Sequence, residues 1–350
     1  MNHTPLLLTK FLFISLFLLA NCTSPGLDAT ETATLTVTAT LTPEVTPTFT
    51  DLPPASTPEL GLVENPLILA LPPTVANRAN PQAQIEAAKV LASLFTERTG
   101  QAVVTVIPDS ETALVEALGR GNAHIVLLDP YAYELAYQRG WVRAAYAVIE
   151  EGEGKYGAQF IAARRGGFDS YFDESTEMNT ADARTALAQF NDKKPCWSDE
   201  ISPSGYVIPA GYLNENQILT RAPAFVQGHP TVVRSLYASG ICDFGATYID
   251  ARKFPSLEDE FPDLIEQVIV VWRIPAIIPY NVLALSTNMP QEMREILANS
   301  IPAMLQTTAG KAAFKALYDI EEIQPVNDGY YDEFRTYLDW SGIDLSTLVE

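Results

Sequence analysis

The sequence has few basic residues, few histidines and few cysteines. Its 22 lysines and arginines are outnumbered by 43 acidic residues, and the formal net charge is −21. This charge argues against nucleic acid or an anionic membrane surface as the main partner. It leaves room for a small anion, because backbone N–H and hydroxyl donors can hold an oxyanion without net positive charge.

Motifs of catalysis are also missing. The three histidines and three cysteines show neither the His-x-x-x-His nor the paired cysteine spacing of a zinc site, and no Gly-x-Ser-x-Gly elbow of a hydrolase occurs. The segment 152–157 fits the glycine spacing of a dinucleotide-binding motif, but the residues that follow are strand-like rather than helical. We therefore expect a loop there, and no metal, no cofactor and no enzymatic activity.

No apolar run is long enough for a comfortable transmembrane helix. Lys10 precedes the apolar residues 11–20, and the run ends at Leu-Ala-Asn-Cys22. This arrangement resembles a bacterial lipoprotein signal, which implies that residues 1–21 are removed and that Cys22 is lipidated. An ordinary cleaved signal and an uncleaved anchor are the alternatives.

Residues 22–62 differ in composition from the rest of the chain. They are rich in threonine and proline, and residues 23–60 contain no lysine or arginine. Such a segment has too little periodic apolar surface to fold, so it is predicted to be a disordered tether. A tether after a lipidated cysteine would place the folded part outside the cytoplasmic membrane.

From residue 63 onward strands and helices alternate. Residues 63–155 read as strand–helix units and predict a first lobe, the alternation restarts in a second lobe at 156–274, and residues 275–350 return to pack mainly on the first lobe. This order predicts an α/β protein with two lobes, each a mainly parallel sheet flanked by helices. A helix near residues 177–190 is one of the predicted elements of the second lobe.

The stretch 194–211 is the best candidate for a binding site. It reads as a short strand, a serine-rich loop and a helix start, where Ser202 or Ser204 can cap the helix and Pro203 suits the first helical position if Ser202 is the cap. Free N–H groups at a helix start favour negative charge. The stretch therefore predicts an anion cradle.

The order of segments resembles the substrate-binding lipoproteins of phosphate, phosphite and phosphonate ABC importers, which have the type II periplasmic-binding fold. The resemblance covers roughly residues 66–305. Its segments are 104–109, 123–130, 156–163, 202–209, 228–229, 243–250 and 270–275. The family implies a protein that closes two lobes on an oxyanion and delivers it to a permease.

The resemblance also implies which residues bind the ligand in the second lobe. Family members show Ser-Thr-Ser-Gly in the cradle, which matches Ser202, Ser204 and Gly205, while Pro203 stands where threonine would supply donors. His229 matches a Gly-His element whose imidazole donates to the oxyanion. A structural hydrogen bond is the alternative role for this histidine.

Further candidates extend the implied site. Asp250 stands where the family places an acidic side chain near the far end of the ligand, with a solvated helix cap as the alternative, and Tyr248 belongs to the same segment. In the first lobe, Ser110 and Tyr131 start helices at the implied crevice, although a packed aromatic explains Tyr131 equally well. Tyr280 stands where phosphonate binders show an acidic residue, which speaks against an aminophosphonate.

Two cysteines remain for the folded part once Cys22 is assigned to lipid. Cys196 and Cys242 open strands of the second lobe that we expect to be parallel neighbours. In an oxidising exterior they are predicted to form a disulfide, and two buried thiols are the alternative.

The leading hypothesis is an extracytoplasmic, lipid-anchored, monomeric solute-binding protein for a small oxyanion. Its partners would be an ABC permease and, through the lipid alone, the membrane, with no role for nucleic acid. One alternative is the same fold with another small molecule or as a sensor. The other is a surface hydrolase built from Ser202 or Ser204, His229 and Asp250.

Overall fold

The computed structural model describes residues 58–74, 80–238 and 240–349. The predicted signal peptide, Cys22 and the tether up to residue 57 lie outside this part of the chain. The described strands are Leu67–Ala70 (β1), Val103–Val106 (β2), Ile125–Leu128 (β3), Val142–Ile149 (β4), Lys155–Ala163 (β5), Phe172–Asp173 (β6), Met178–Asn179 (β7), Pro195–Trp197 (β8), Ala224–Phe225 (β9), Phe244–Tyr248 (β10), Val268–Pro279 (β11), Val282–Ser286 (β12) and Glu322–Pro325 (β13).

The α-helices flank these strands. They are Pro81–Thr99 (α1), Glu111–Gly119 (α2), Pro130–Gln138 (α3), Ala183–Leu187 (α4), Ile208–Glu215 (α5), His229–Ala238 (α6), Pro255–Glu260 (α7), Leu264–Gln267 (α8), Gln291–Leu305 (α9), Thr308–Tyr318 (α10) and Asp332–Ser341 (α11). Among the described residues no helix is both long and apolar enough to cross a membrane.

A six-stranded sheet forms the first lobe, with the order β13-β4-β12-β3-β1-β2. The strand β1 is apolar and almost fully buried because it lies near the middle of the sheet, between β2 and β3. Apolar side chains of α1, α9 and α10 cover one face, and those of α2 and α3 cover the other. The strand β2 leads into α2 and β3 leads into α3, and because β1, β2 and β3 are parallel, their carboxyl ends and these two helix starts lie at the same edge of the sheet.

A five-stranded sheet forms the second lobe, with the order β11-β5-β10-β8-β9. The helix α6 packs on one face of this sheet through Val232, Val233 and Leu236. The predicted disulfide is present between Cys196 and Cys242, whose Cα atoms are 5.6 Å apart. It joins β8 to the segment that leads into β10, and these two strands are parallel neighbours as expected.

The α/β two-lobed fold is confirmed, but the mainly parallel sheets are not. Only β1, β2 and β3 are parallel in the first sheet, and only β8, β9 and β10 in the second. The strands β4, β5, β11, β12 and β13 pair antiparallel. Strands that enter a sheet from the other lobe or from a sheet edge are not part of a βαβ unit, so no crossover helix makes them parallel.

The predicted helix near residues 177–190 was wrong. Residues 177–190 form the end of a β-hairpin, the short helix α4 and a 3₁₀ turn, because Asp182 caps a helix that starts only at residue 183. The strand β11 runs on through Pro275 to Pro279, with a register irregularity between Ile274 and Ile278. It is an edge strand, where prolines are tolerated.

The C-terminal helices divide between the two lobes. The helices α9 and α10 pack on α1 of the first lobe. The helix α11 instead packs on α5, where the rings of Tyr337 and Tyr212 stack with centroids 3.7 Å apart. Its Arg335 also binds the fully buried Glu134 of α3. The last helix therefore contacts both lobes. The boundaries predicted from the sequence, at residues 63–155, 156–274 and 275–350, remain a prediction.

Candidate functional site

The serine-rich loop after β8 ends in a capped helix, as the sequence predicted. Ser202 is the cap: its Oγ accepts a hydrogen bond from the Gly205 N–H at 3.0 Å, and Pro203 occupies the first helical position. The first turn, Pro203–Val207, is π-helical and continues into α5. A side chain at Gly205 would not fit, because an added Cβ would lie 1.9 Å from Ser198 Oγ.

His229 lies beside this loop at the start of α6. Its Nε2 is 3.5 Å from Ser202 Oγ, and its ring meets the ring of Tyr248 edge-on with centroids 4.8 Å apart. Burial lowers the pKa of His229, so the imidazole is neutral near pH 7. Its Nδ1 is buried and has no hydrogen-bond partner among the described residues. The structure thus brings Ser202, Gly205, His229 and Tyr248 together.

Ser204 and Tyr280 belong to a second group of side chains. The Ser204 hydroxyl is hydrogen-bonded to Tyr156, whose pKa burial raises strongly. The ring of Tyr280 lies against the ring of Tyr156, with centroids 5.1 Å apart. Tyr156 therefore links two predicted site residues that lie on different segments.

A cavity of about 550 Å³ opens between this loop and the first lobe. Lobe 2 contributes Ile201 and Pro203, and lobe 1 contributes Ser110 and Tyr131 among others. The Oγ of Ser110 caps α2 by accepting from the Ala113 N–H at 3.0 Å. The Tyr131 side chain is only 4% exposed, and its hydroxyl has no hydrogen-bond partner within the described chain.

Asp250 has other partners. Its carboxylate forms a buried ion pair with Arg252, with Nη2 2.7 Å from Oδ2, and Oδ1 accepts from Gln159 Nε2 at 2.7 Å. Burial alone would raise the pKa of Asp250, but hydrogen bonds and charge from Arg252 outweigh it and hold the pKa below its usual value. Because both oxygens are occupied, we do not count Asp250 among the groups free to meet a ligand.

The same contacts bear on the hydrolase alternative. In a serine triad, a carboxylate orients the base through the second imidazole nitrogen. Here His229 Nδ1 has no partner in the described chain, and Asp250 is held by Arg252. The geometry therefore gives the triad no orienting acid.

Ser198 and Tyr156 are candidate residues that the sequence reasoning missed. Ser198 is buried directly after β8, and its Oγ has no partner in the described part of the chain. Its position at the carboxyl end of a strand beside the capped loop was the available signal. Tyr156 gave no such signal, since its role depends on the pairing of β5 with β11.

The described residues show no arrangement of side chains suited to a metal ion. No group of three or more histidine, cysteine or acidic side chains there could hold a metal ion. The site is instead built from hydroxyls, an imidazole and a helix start. Such groups donate hydrogen bonds to an anion.

The comparison with family models identifies this arrangement. Residues 74–331 match the model described as "ABC transporter, phosphonate, periplasmic substrate-binding protein". The chain belongs to this family. The resemblance inferred from the order of the sequence segments is thereby confirmed.

Individual relatives agree with the family assignment. The chain is 26% identical over 205 residues to the phosphate-import protein PhnD of Mycolicibacterium smegmatis, which is 56% of this chain and 58% of that protein. The match thus spans less than two thirds of the relative's length.

Solved structures show the same fold. XAC2383 from Xanthomonas citri bound to ATP has a TM-score of 0.55 and 16% identity, with 81% of this chain and 99% of that chain covered. The same protein bound to a chloride ion has a TM-score of 0.53 and 17% identity, with 81% and 98% covered. At these identities the likeness concerns the fold alone.

Proposed function

We propose that this chain is a lipid-anchored extracytoplasmic receptor that captures phosphate, phosphite or a phosphonate between its lobes and delivers it to an ABC importer. The observation that carries the proposal is a set of buried polar atoms that have no hydrogen-bond partner among the described residues. They are Ser198 Oγ, His229 Nδ1 and the Tyr131 hydroxyl. Buried polar groups are normally hydrogen-bonded, so these atoms are available for a ligand.

The chemistry of these atoms suits an oxyanion. Hydroxyl groups and a neutral imidazole can each donate one hydrogen bond, and the oxygens of a phosphoryl group accept several. With Nε2 of His229 next to Ser202 Oγ, Nδ1 is the nitrogen left to donate to the ligand. Tyr131 would donate from the first lobe. This additional hydrogen bond would stabilise the closed arrangement of the lobes around the anion.

Ser198 supports the proposal at the position where the family pattern is broken. Pro203 lacks both the hydroxyl and the N–H of the threonine that relatives carry. Ser198 Oγ lies against Gly205, in the space that a Cβ would need. We infer that Ser198 supplies the donor that Pro203 cannot.

The ligand can be tested by identifying what the protein carries. The full chain would be purified gently, and its ligand released by denaturation and analysed by ³¹P NMR and mass spectrometry. We expect a phosphorus oxyanion at about one equivalent. Release of a neutral or cationic molecule in that amount would overturn the ligand assignment.

Lipid anchoring needs a separate test, because Cys22 and the tether lie outside the described residues. We expect the wild-type chain, expressed with its own signal, in the membrane fraction, and the Cys22→Ser variant in the soluble extracytoplasmic fraction. Equal fractionation of the two proteins would contradict the anchor.

A further inference from the structure

The first-lobe side of the cavity is acidic rather than basic. Its charged lining residues within the described chain are Asp109, Glu111 and Asp129, and no lysine or arginine lines it there. An oxyanion held by the second lobe would therefore face carboxyl groups and no countercharge. Like charges at short distance repel strongly in a partly dry site, so a protonated carboxyl is needed for the two to coexist.

The two inner carboxyl groups differ in their contacts. Asp129 caps α3, and its Oδ1 accepts hydrogen bonds from the N–H groups of Tyr131 and Ala132, both at 2.8 Å. Such bonds favour the ionised carboxylate. Glu111 stands at the first position of α2, and its buried Oε2 has no partner among the described residues. Glu111 therefore has a carboxyl oxygen free to donate to a ligand when it is protonated, whereas Oδ1 of Asp129 is already occupied by two N–H groups.

A second observation points to a ligand at the same place. Tyr131 is more than nine-tenths buried and lines the cavity, and its hydroxyl is also without a partner in the described chain. Glu111 and Tyr131 line the same cavity, and leaving both polar groups without partners is costly unless a ligand completes them. The pair of unsatisfied groups marks this wall as a contact surface for the ligand.

We propose that Glu111 binds the oxyanion as a neutral carboxylic acid and, together with the Tyr131 hydroxyl, donates hydrogen bonds to it from the first lobe. This inference rests on the proposed function, because only an anionic ligand requires Glu111 to be neutral. It makes Glu111 a residue that couples ligand affinity to pH.

The pKa of Glu111 agrees with this role. Burial, with a smaller effect of the Asp129 carboxylate, raises the pKa of Glu111 to about 8. Glu111 is therefore mostly protonated at neutral pH and ionises above about pH 8. In the ionised form it repels the anion, and affinity falls.

The other titratable groups around Glu111 have shifted pKa values as well. Burial raises the pKa of Asp129, and it raises the pKa values of Tyr131, Tyr156 and Tyr318 above their usual range. In the second lobe, burial lowers the pKa of His229. Asp109 also lines the cavity, and Asp199 and Glu200 line the neighbouring cavity that shares Ile201 and Leu348 with it.

The test is calorimetric titration of the full chain with inorganic phosphate between about pH 7 and about pH 10, in wild type, Glu111→Gln and Glu116→Gln. Glu116 is a matched control on the same helix that pairs with Arg139. The ionisation of phosphate itself affects all three proteins equally, so the comparison between them is the readout. Relative to Glu111→Gln, whose amide stays neutral and still donates, wild type and Glu116→Gln should lose affinity roughly tenfold per pH unit above about pH 8.

The outcomes separate the inference from the proposed function. A flat wild-type profile, or the same slope in Glu111→Gln as in wild type, would overturn the role of Glu111 and leave the receptor function intact. No binding of phosphate, phosphite or methylphosphonate at any pH would overturn the proposed function and the inference with it.

Discussion

The two walls of the cleft differ in chemistry. The second-lobe wall is the capped turn, whose Pro203 lines the cavity, and next to this turn lie Ser198 Oγ and His229 Nδ1, two donors without partners in the described chain. The first-lobe wall presents carboxyl groups at Glu111 and Asp129, next to the Tyr131 hydroxyl. The difference suggests a division of roles, in which the second lobe binds the anion and the first lobe sets the protonation state at which closure succeeds.

The frames behind the two walls differ as well. The donor wall rests on strands joined by the Cys196–Cys242 disulfide and on the buried Asp250–Arg252 ion pair. The acidic wall rests on apolar helix–sheet packing and on the hydrogen bond that the Ile68 N–H donates to His124. Variants that remove one group from each wall can therefore separate stability from binding.

The disulfide should give the largest effect on stability. The double variant Cys196→Ser, Cys242→Ser opens a covalent loop with a sequence separation of 46. In the chain-entropy model this lowers the free energy of unfolding by about 4 kcal/mol. Urea unfolding would measure it, with reduced wild type as the control. If the free energy of unfolding fell by less than about 1 kcal/mol in both the double variant and reduced wild type, the disulfide would not have a structural role.

The Asp250→Asn substitution should have the next largest effect on stability. It leaves the fully buried Arg252 without its main anion, and we expect a loss of about 3 kcal/mol in stability with phosphate affinity unchanged. Glu174 pairs with the same arginine from an exposed position, so Glu174→Gln should cost less than about 1 kcal/mol. If Asp250→Asn instead lowered phosphate affinity and left stability unchanged, Asp250 would be a ligand-binding residue.

This ion pair also predicts a pH dependence of stability. The pKa of Asp250 is lower in the folded protein than its usual value. Its contribution is therefore present above the unfolded pKa and is lost as pH falls through the folded pKa. Thermal unfolding of wild type should show an acid-side destabilisation that is smaller in Asp250→Asn.

His229→Ala tests the donor wall. We expect it to weaken phosphate binding by about 2 kcal/mol, or roughly 30-fold, because it removes a hydrogen bond to a charged ligand. His124→Ala is the matched control: His124 is buried in the first lobe and accepts from the Ile68 N–H at 3.0 Å. It should lower stability and leave affinity unchanged. Equal losses of affinity in both variants would contradict the assigned site.

Tyr131→Phe should give the smallest effect. The variant removes one unpaired hydroxyl, so we expect a loss of about 1 kcal/mol in affinity without a loss of stability. In Tyr133 the hydroxyl donates to Asp328 at 2.6 Å, so Tyr133→Phe should lower stability and not affinity. Urea unfolding and phosphate titration of both variants would check this. Loss of stability in Tyr131→Phe together with loss of affinity in Tyr133→Phe would contradict the two roles.

Local signals made part of the site predictable from sequence. A serine, a proline and a glycine in the order needed for a helix start predicted a capped turn at Ser202 and Gly205, whereas His229 was a candidate only through the Gly-His element of the family. Cys196 and Cys242 were predictable because both open strands of one lobe. The helix start depends on residues close together in the chain, whereas the disulfide, with a sequence separation of 46, also required β8 and β10 to be neighbours.

The rest depends on contacts that are distant in sequence. Asp250 was placed at the ligand because its segment fits the family, but Gln159 and Arg252 reach it only through strand pairing and burial. The direction of β5 and β11 follows from connections between the lobes, which no periodicity reveals. Glu111 carries no motif, and its protonation is set by the surrounding burial.

The central claim is that the donor wall binds a phosphorus oxyanion. The most direct test is calorimetric titration of wild type and His229→Ala with phosphate, phosphite and methylphosphonate at about pH 7. We expect wild type to bind at least one of them one-to-one and His229→Ala to bind it more weakly. Absence of heat with all three, or full affinity in His229→Ala, would contradict it.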